Sequence, residues 1–329
     1  MKEILVVGGA GYIGSHMCKY LYGHGMRPVV LDNLSLGHRE AVKWGPLYEG
    51  NMNDSLLLQE IFSKHSIDAA MHFAALCYVG ESMSEPLKYY QNNISSTLGL
   101  LDAMLEHGVS RLIFSSTCAT YGEPQFLPIT EDHPQVPINP YGRSKLMMEQ
   151  ILDDLDASCG LKSVCLRYFN AAGADPEGEL GEDHDPETHL IPLVLEAALG
   201  KSQELTILGD DYPTIDGTCV RDYIHIQDLS QAHYLSLQYL LDENPSKKFN
   251  LGNGNGYSIR EVIQTAEEVT GRKLSYSYAE RRPGDPAMLV GSAERISNEL
   301  GWKPKYTTLY AIIETAWNWH VNNPDGFTM

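Results

Sequence analysis

The sequence predicts a doubly wound α/β fold, a parallel sheet covered by helices on both faces, followed by a smaller C-terminal α/β lobe. Three observations predict it. Strand-length apolar runs alternate with helical segments through the first half of the chain, a glycine-rich turn separates the first strand from the first helix, and the texture changes near Asn170. Strands that are apolar throughout, without alternating polar positions, belong to parallel sheets buried on both sides.

Ile4-Leu5-Val6-Val7 reads as the first strand, Gly11 to Tyr22 as the first helix and Val29-Val30-Leu31-Asp32 as the second strand. The alternation continues with a strand from Ala69 to Phe73, a long helix from Leu87 to Glu106 and a strand from Arg111 to Ser115. A helix from Tyr141 to Ala157 and a strand from Ser163 to Tyr168 complete it. The expected division is 1–170 for a nucleotide-binding lobe and 171–329 for a second lobe, parts of which can pack back on the first. Glu177 to Glu187 is expected to be a solvated acidic loop, and Leu309 to Val321 a closing helix.

With 43% hydrophobic and 20% charged residues, a chain of 329 residues can bury a substantial core. No apolar run approaches the roughly 18–20 residues of a membrane span. Met1-Lys2-Glu3 leads directly into a strand with no signal-peptide pattern, so a soluble cytoplasmic protein is expected. Six scattered cysteines without a Cys-x-x-Cys pair suggest reduced thiols, and no metal centre is expected. A net charge of −19 argues against nucleic-acid or anionic-membrane partners. An anionic ligand would have to be held by local cations and helix ends.

Gly8-Gly9-Ala10-Gly11-Tyr12-Ile13-Gly14 lies between strand and helix, the context of a dinucleotide fingerprint. Its glycines permit the tight turn, the approach of pyrophosphate and close helix–strand packing, and the helix N-terminus favours the phosphates. Asp32 ends the second strand, where a carboxylate takes ribose hydroxyls and repels a 2′-phosphate, favouring NAD over NADP. Thr117 follows Phe114-Ser115-Ser116 at the carboxyl edge of the sheet. Tyr141 is the only tyrosine with a lysine four residues on, Lys145, so both share a helix face. Bringing a phenol from about 10 to about 7 takes roughly 4 kcal/mol, on the order of what an ammonium about 4 Å away supplies at an effective dielectric of 20. The same spacing also suits an ordinary helix pair.

Together the glycine run, Asp32, His72-Phe73-Ala74-Ala75, Ser115-Ser116-Thr117 and Tyr141-x-x-x-Lys145 resemble the extended short-chain dehydrogenase/reductase superfamily. Within it the chain is similar to the NAD-dependent sugar-nucleotide epimerases. The likeness runs through Val79-Gly80-Glu81-Ser82, Arg167-Tyr168-Phe169-Asn170, Asp211-Tyr212-Pro213-Thr214, Val220 to His225 and Arg281-Arg282-Pro283-Gly284-Asp285. The resemblance implies a Rossmann-type first lobe with NAD lined by Gly8, Gly11, Tyr12, Ile13, Gly14, Asp32, Asn33, Asn51, Met52, Phe73, Ala74, Asn92, Lys145 and Phe169. It implies a UDP-sugar held by Thr117, Tyr141, Asn170, His189, Leu190, Arg221, Tyr223, Arg282, Asp285 and Leu289. Guanidinium groups pair bidentately with diphosphate oxygens, although Arg221 and Arg282 also suit surface ion pairs, and Asp285 could take ribose hydroxyls or pair with Arg282.

The implied activity is reversible 4-epimerisation of UDP-galactose and UDP-glucose, in galactose metabolism. Tyr141 acts as base, assisted by Lys145 and Thr117, while hydride passes to NAD and back through a 4-keto sugar. A homodimer formed through the helix from about Leu87 and the helix carrying Tyr141 is also implied. Related dehydratases and decarboxylases carry acids just after the Ser/Thr, where this chain has Cys118 and Ala119. Thr117 replaces a common Ser, Asn51 a common Asp, and Leu289 an aromatic residue that crowds the sugar in some relatives, so UDP-N-acetylglucosamine or a UDP-pentose remains an alternative substrate. A non-catalytic NAD-sensing protein is the competing reading from another class.

Overall fold

The computed structural model describes residues 1–201, 204–282 and 284–327. The first half of the chain forms β1 (Glu3–Val7), α1 (Tyr12–Gly23), β2 (Arg27–Asp32), β3 (Leu47–Glu49), α2 (Ser55–Lys64) and β4 (Ile67–His72). It continues with α3 (Val79–Ser84), α4 (Pro86–Tyr90), α5 (Thr97–Glu106), β5 (Arg111–Thr117), α6 (Pro140–Cys159) and β6 (Lys162–Tyr168). The second half contributes β7 (Asn170–Ala172), α7 (Leu190–Leu199), β8 (Leu205–Leu208), β9 (Val220–His225), α8 (Ile226–Leu241) and β10 (Lys247–Leu251). Then follow β11 (Gly256–Ser258), α9 (Ile259–Thr270), β12 (Tyr276–Ala279), β13 (Met288–Leu289), α10 (Glu294–Leu300) and α11 (Leu309–Asn322).

Seven parallel strands form the main sheet in the order β10-β6-β5-β4-β1-β2-β3. Successive side chains of a strand point to opposite faces, so β1 feeds two cores. Ile4 and Val6 join Met17, Leu21, Leu229 and Leu237 on one face. Leu5 and Val7 join Leu58, Leu100, Met148 and Leu152 on the other. Strand order reverses between β1 and β4, which opens a crevice at the carboxyl edge where such folds bind ligands. β10 and α8 come from beyond residue 170 yet complete this sheet and one of its covering layers.

A smaller sheet, β11-β9-β13 with β7 beside β9, packs with α7, α9 and α11 around Ile191, Val194, Val262, Ile263, Ile312 and Ile313. Ser258 begins α9 with a reciprocal capping box to Glu261. The long helix expected from Leu87 is present with a change of pitch, since Gln91–Ser96 is a π-helical segment between α4 and α5. The acidic stretch is the expected loop, solvated only in part: the Glu177 and Glu179 side chains are 74% and 45% exposed. Lys19 pairs with Asp175, Glu177 and Glu179 at 2.6–2.7 Å, Asp183 accepts the Phe327 N–H at 2.8 Å, and Glu182 is buried. Two partners distant in sequence, Lys19 and the Phe327 N–H, anchor the loop to the rest of the fold. No helix among the described residues is long and apolar enough to cross a membrane.

Candidate active site

β1 runs directly into the glycine turn. Gly8 has φ +83°, and a Cβ there would lie 2.5 Å from the Ala74 amide nitrogen, so only glycine fits. A Cβ on Gly14 would lie 2.1 Å from the Gly8 carbonyl oxygen, the contact that seats α1 against β1. At Gly11 the nearest atom is 3.6 Å away, and this residue caps α1 without a side-chain bond. The N–H groups of the first turn, which holds Tyr12 and Ile13, are thereby aimed at an anion site. The Tyr12 hydroxyl reaches across to donate to the Gly173 carbonyl at 2.6 Å, tying the turn to the second lobe.

Asp32 is 9% exposed, and its two oxygens accept the Ala10 and Leu34 N–H groups at 2.9 Å each. Burial raises its pKa while these donors pull it down. Each oxygen keeps a lone pair for a ribose diol. Asn33 donates to the Asn51 side-chain oxygen at 2.8 Å, above buried Met52. On the other side of β1, the Phe73 and Ala74 N–H groups both donate to the Val7 carbonyl, and Asn92 donates to Asn93 at 3.0 Å. An open anion cradle, an oriented carboxylate and glycines that admit no side chain fit a dinucleotide. Gly14→Ala is expected to push α1 off β1 and abolish cofactor retention. NAD released on denaturing the purified variant checks this, and one NAD per chain would contradict it.

Thr117 ends β5 at 6% exposure and accepts the Ala119 N–H at 3.1 Å. Asn139 caps α6 by accepting the Gly142 N–H at 2.8 Å, and Pro140 opens the helix, so Tyr141 and Lys145 occupy its first two turns. Lys145 is 2% exposed, and its Nζ donates to the Ser115 carbonyl at 2.8 Å. Burial pushes this lysine down to about 8, against the pull of Cys77, Cys165 and Glu149. Burial also drives the Tyr141 phenol well above 10, with Cys77 and Tyr168 adding to the rise and the Thr117 hydrogen bond opposing it. In the protein alone the spacing therefore does not yield a phenolate: burial dominates, and the Lys145 ammonium is held by the Ser115 carbonyl. Cys118 and Ala119, neither of them an acid, directly follow Thr117.

At β9, Arg221 Nη2 donates to Asp285 Oδ1 at 2.6 Å. Arg282 reaches Asp285 Oδ2 at 3.2 Å. One carboxylate thus holds both guanidiniums; Pro283 of the same run lies outside the described residues. Asn170 donates to the Asp222 carbonyl at 2.9 Å, which fastens β7 to β9. His189 caps α7 and Leu190 begins it. Burial lowers the His189 pKa, but the Glu182 and Glu187 carboxylates overcome it and lift the imidazole to about 9. Leu289 packs on the buried cluster of Cys118, Tyr121, Ile129 and Phe169, directly after Thr117. Tyr223 is 5% exposed and belongs to the core of the second lobe.

Three features escape a reading by motif. Glu149 continues the four-residue spacing of Tyr141 and Lys145, a signal present in the sequence, and is fully buried. It accepts from Ser116 Oγ at 2.5 Å and from Arg167 at 2.9 and 2.5 Å. Arg167 donates on to the Tyr121 hydroxyl, which donates to Asn250, so one network locks α6, β5, β6 and β10 together. Asn93 both donates to and accepts from Leu76 and bonds Ser144, tying the loop after β4 to α6. Cys77 on that loop is a free cysteine exposed at the residue level, while burial of its thiol pushes the pKa up to about 11.

The chain belongs to the NAD dependent epimerase/dehydratase family, whose model matches residues 4–252. Within it, the UDP-glucose 4-epimerase of Halalkalibacterium halodurans is 52% identical over 325 residues, spanning 99% of this chain and 97% of that protein. The crystal structure of UDP-glucose 4-epimerase from Brucella ovis in complex with NAD is 50% identical, covering 97% of this chain and 98% of that one with a TM-score of 0.94. The enzyme of the same name from Bifidobacterium longum, in complex with NAD+ and UDP, is 40% identical with a TM-score of 0.95, covering 99% of this chain and 100% of that one.

Proposed function

We infer that the protein is an NAD-dependent isomerase that interconverts UDP-galactose and UDP-glucose by inverting C4 of the sugar. One observation carries this reading. Thr117 ends β5 at the carboxyl edge of the sheet and Tyr141 and Lys145 fill the first two turns of α6, in a chain that also carries a dinucleotide cradle and two arginines converging on Asp285. Bound NAD supplies a hydride acceptor that returns the hydride it takes. Tyr141 takes the 4-hydroxyl proton as the C4 hydrogen departs with its electron pair, leaving a 4-keto sugar. Thr117 shares that proton, and Lys145, one helical turn from Tyr141, is the cation that favours the phenolate once released from Ser115. Returning proton and hydride to the opposite face completes the inversion without net oxidation. Cys118 and Ala119, where related dehydratases carry acids, support epimerisation over elimination of water.

Arg221 and Arg282 clamp the diphosphate, with Asp285 as their brace and Asn170, His189, Leu190 and Tyr223 framing the nucleotide side. Arg282→Ala is expected to raise KM for UDP-galactose about tenfold or more with kcat little changed, as for loss of a charged hydrogen bond. An unchanged KM would remove Arg282 from the clamp. Leu289 gives the sugar wall an aliphatic side chain beside Phe169 and Cys118, which favours UDP-N-acetylglucosamine as a further substrate. Leu289→Tyr is expected to remove turnover of the N-acetylated sugar while sparing UDP-galactose. Equal losses on both sugars would contradict that reading.

Leu87, Leu98 and Met147 are exposed on the long helix and α6, which supports a homodimer formed through those helices. Six free cysteines, including exposed Cys77 and Cys159, support a cytoplasmic location. The function is tested by converting UDP-galactose in an assay coupled to a UDP-glucose dehydrogenase, alongside NAD released on denaturation. Bound NAD without turnover would favour a sensing role.

A further inference from the structure

Asp222 lies in β9 directly after Arg221 and is fully buried. Its side chain bonds only to backbone N–H groups. Oδ1 accepts from Asn253 at 2.9 Å, and Oδ2 accepts from Gly254 at 3.1 Å and from Gly291 at 3.2 Å. Burial pushes this carboxyl up to about 6, while the three N–H groups pull it down. An amide side chain would be cheaper to bury, but it accepts at one end only, whereas a carboxylate accepts at both. The two oxygens thus gather segments far apart in the chain, the turn after β10 and the residues after β13.

Gly291 stands two residues after Leu289. A Cβ on it would lie 2.1 Å from Phe169 Cε2, so its Cα rests on the Phe169 ring. Ile129 brackets the same residue, donating to the Val290 carbonyl and accepting the Ser292 N–H at 2.8 Å each. Gly291 therefore sets how Leu289 meets the cluster of Cys118, Ile129 and Phe169, which begins one residue after Thr117. On Gly252 a Cβ would lie 2.5 Å from Asp222 Oδ2, so the turn comes this close to the carboxylate only through a glycine. Gly252, Gly254 and Gly291 also border a pocket of about 300 Å³. Open space, not packing, adjoins the segment there, and the bonds to Asp222 and Ile129 are what fix it.

We propose that Asp222 is a positioning residue for the reaction: through Gly291 it holds Leu289 and Phe169 as the wall that aligns the sugar, and its side chain takes no part in gripping the nucleotide. This role rests on the reading of the protein as a UDP-sugar 4-epimerase. The contacts of Arg221 and Arg282 with Asp285 do not use the Asp222 carboxylate. Sugar alignment and nucleotide affinity should therefore separate when that carboxylate is changed.

The test is Asp222→Asn in the full chain, a change that keeps the size but turns an NH₂ group toward at least one of the three N–H donors. UDP affinity, measured by calorimetry, is expected to stay within about twofold of the parent, with NAD retained, while kcat for UDP-galactose falls about tenfold or more. Hydrogen exchange adds a reading on the parent itself, where the Gly291 amide should exchange as slowly as the amides of β9. Equal losses of UDP affinity and kcat, or an unchanged kcat in a folded variant, would overturn the role. A rapidly exchanging Gly291 amide in the parent would also overturn it, and this can be read even if the variant does not fold. A parent without UDP-galactose turnover would remove the epimerase reading and this role together, whereas an active parent beside an unaffected variant would remove this role alone.

Discussion

Tyr141→Phe is expected to keep its bound NAD and lose about 10³-fold in turnover of UDP-galactose, within the range for loss of a positioned acid–base group. The substitution removes one oxygen. It leaves the Asn139 cap, Pro140 and the Lys145 contact with Ser115 in place, so the cofactor cradle should be unaffected. Burial makes the unassisted phenol a poor acid, so the proposed chemistry requires Lys145 to leave Ser115 and turn its charge toward Tyr141. Turnover within tenfold of the parent, with NAD still bound, would exclude Tyr141 as the base.

Glu149→Ala is expected to cost about 3–5 kcal/mol of stability, because it leaves a buried guanidinium uncompensated. Arg167 is 2% exposed and has Glu149 as its carboxylate partner, at 2.9 and 2.5 Å. Removing Glu149 also frees Ser116 Oγ, one residue before Thr117. The same variant should therefore disturb the reaction centre through α6 and β5, beyond the loss of folded protein. Chemical unfolding followed by circular dichroism checks the stability, and a loss under about 1 kcal/mol would show that Arg167 finds other partners.

Local pattern made five of the first six strands legible, all but the three-residue β3, together with the site's backbone. β1 is apolar at four successive positions, the glycine run sits between strand and helix, and Tyr141 and Lys145 share a face because a helix repeats near every fourth residue. β10 is different. Lys247-Lys248-Phe249-Asn250-Leu251 has two lysines and an asparagine in five residues, and its place in the sheet follows from pairing with β6. The π-helical segment around Asn92 was hidden for the same reason, since the Asn93 bond to Leu76 crosses elements. Helical spacing brings Lys145 near Tyr141 but does not say that Ser115 takes its ammonium. Acid-rich composition suggested a solvated loop at 177–187, whereas Lys19, His184 and His189 lie far along the chain or within the loop's own fold. Composition averages over such partners; geometry singles them out.

The central claim is that the hydrogen on C4 leaves as hydride and returns to the same carbon within one site. UDP-galactose carrying deuterium at C4, incubated with the protein in ordinary water and examined as UDP-glucose by mass spectrometry, tests it most directly. The account predicts that the deuterium is retained at C4 through full conversion. Its replacement by solvent hydrogen would show that C4 is inverted by proton removal, and would contradict the account.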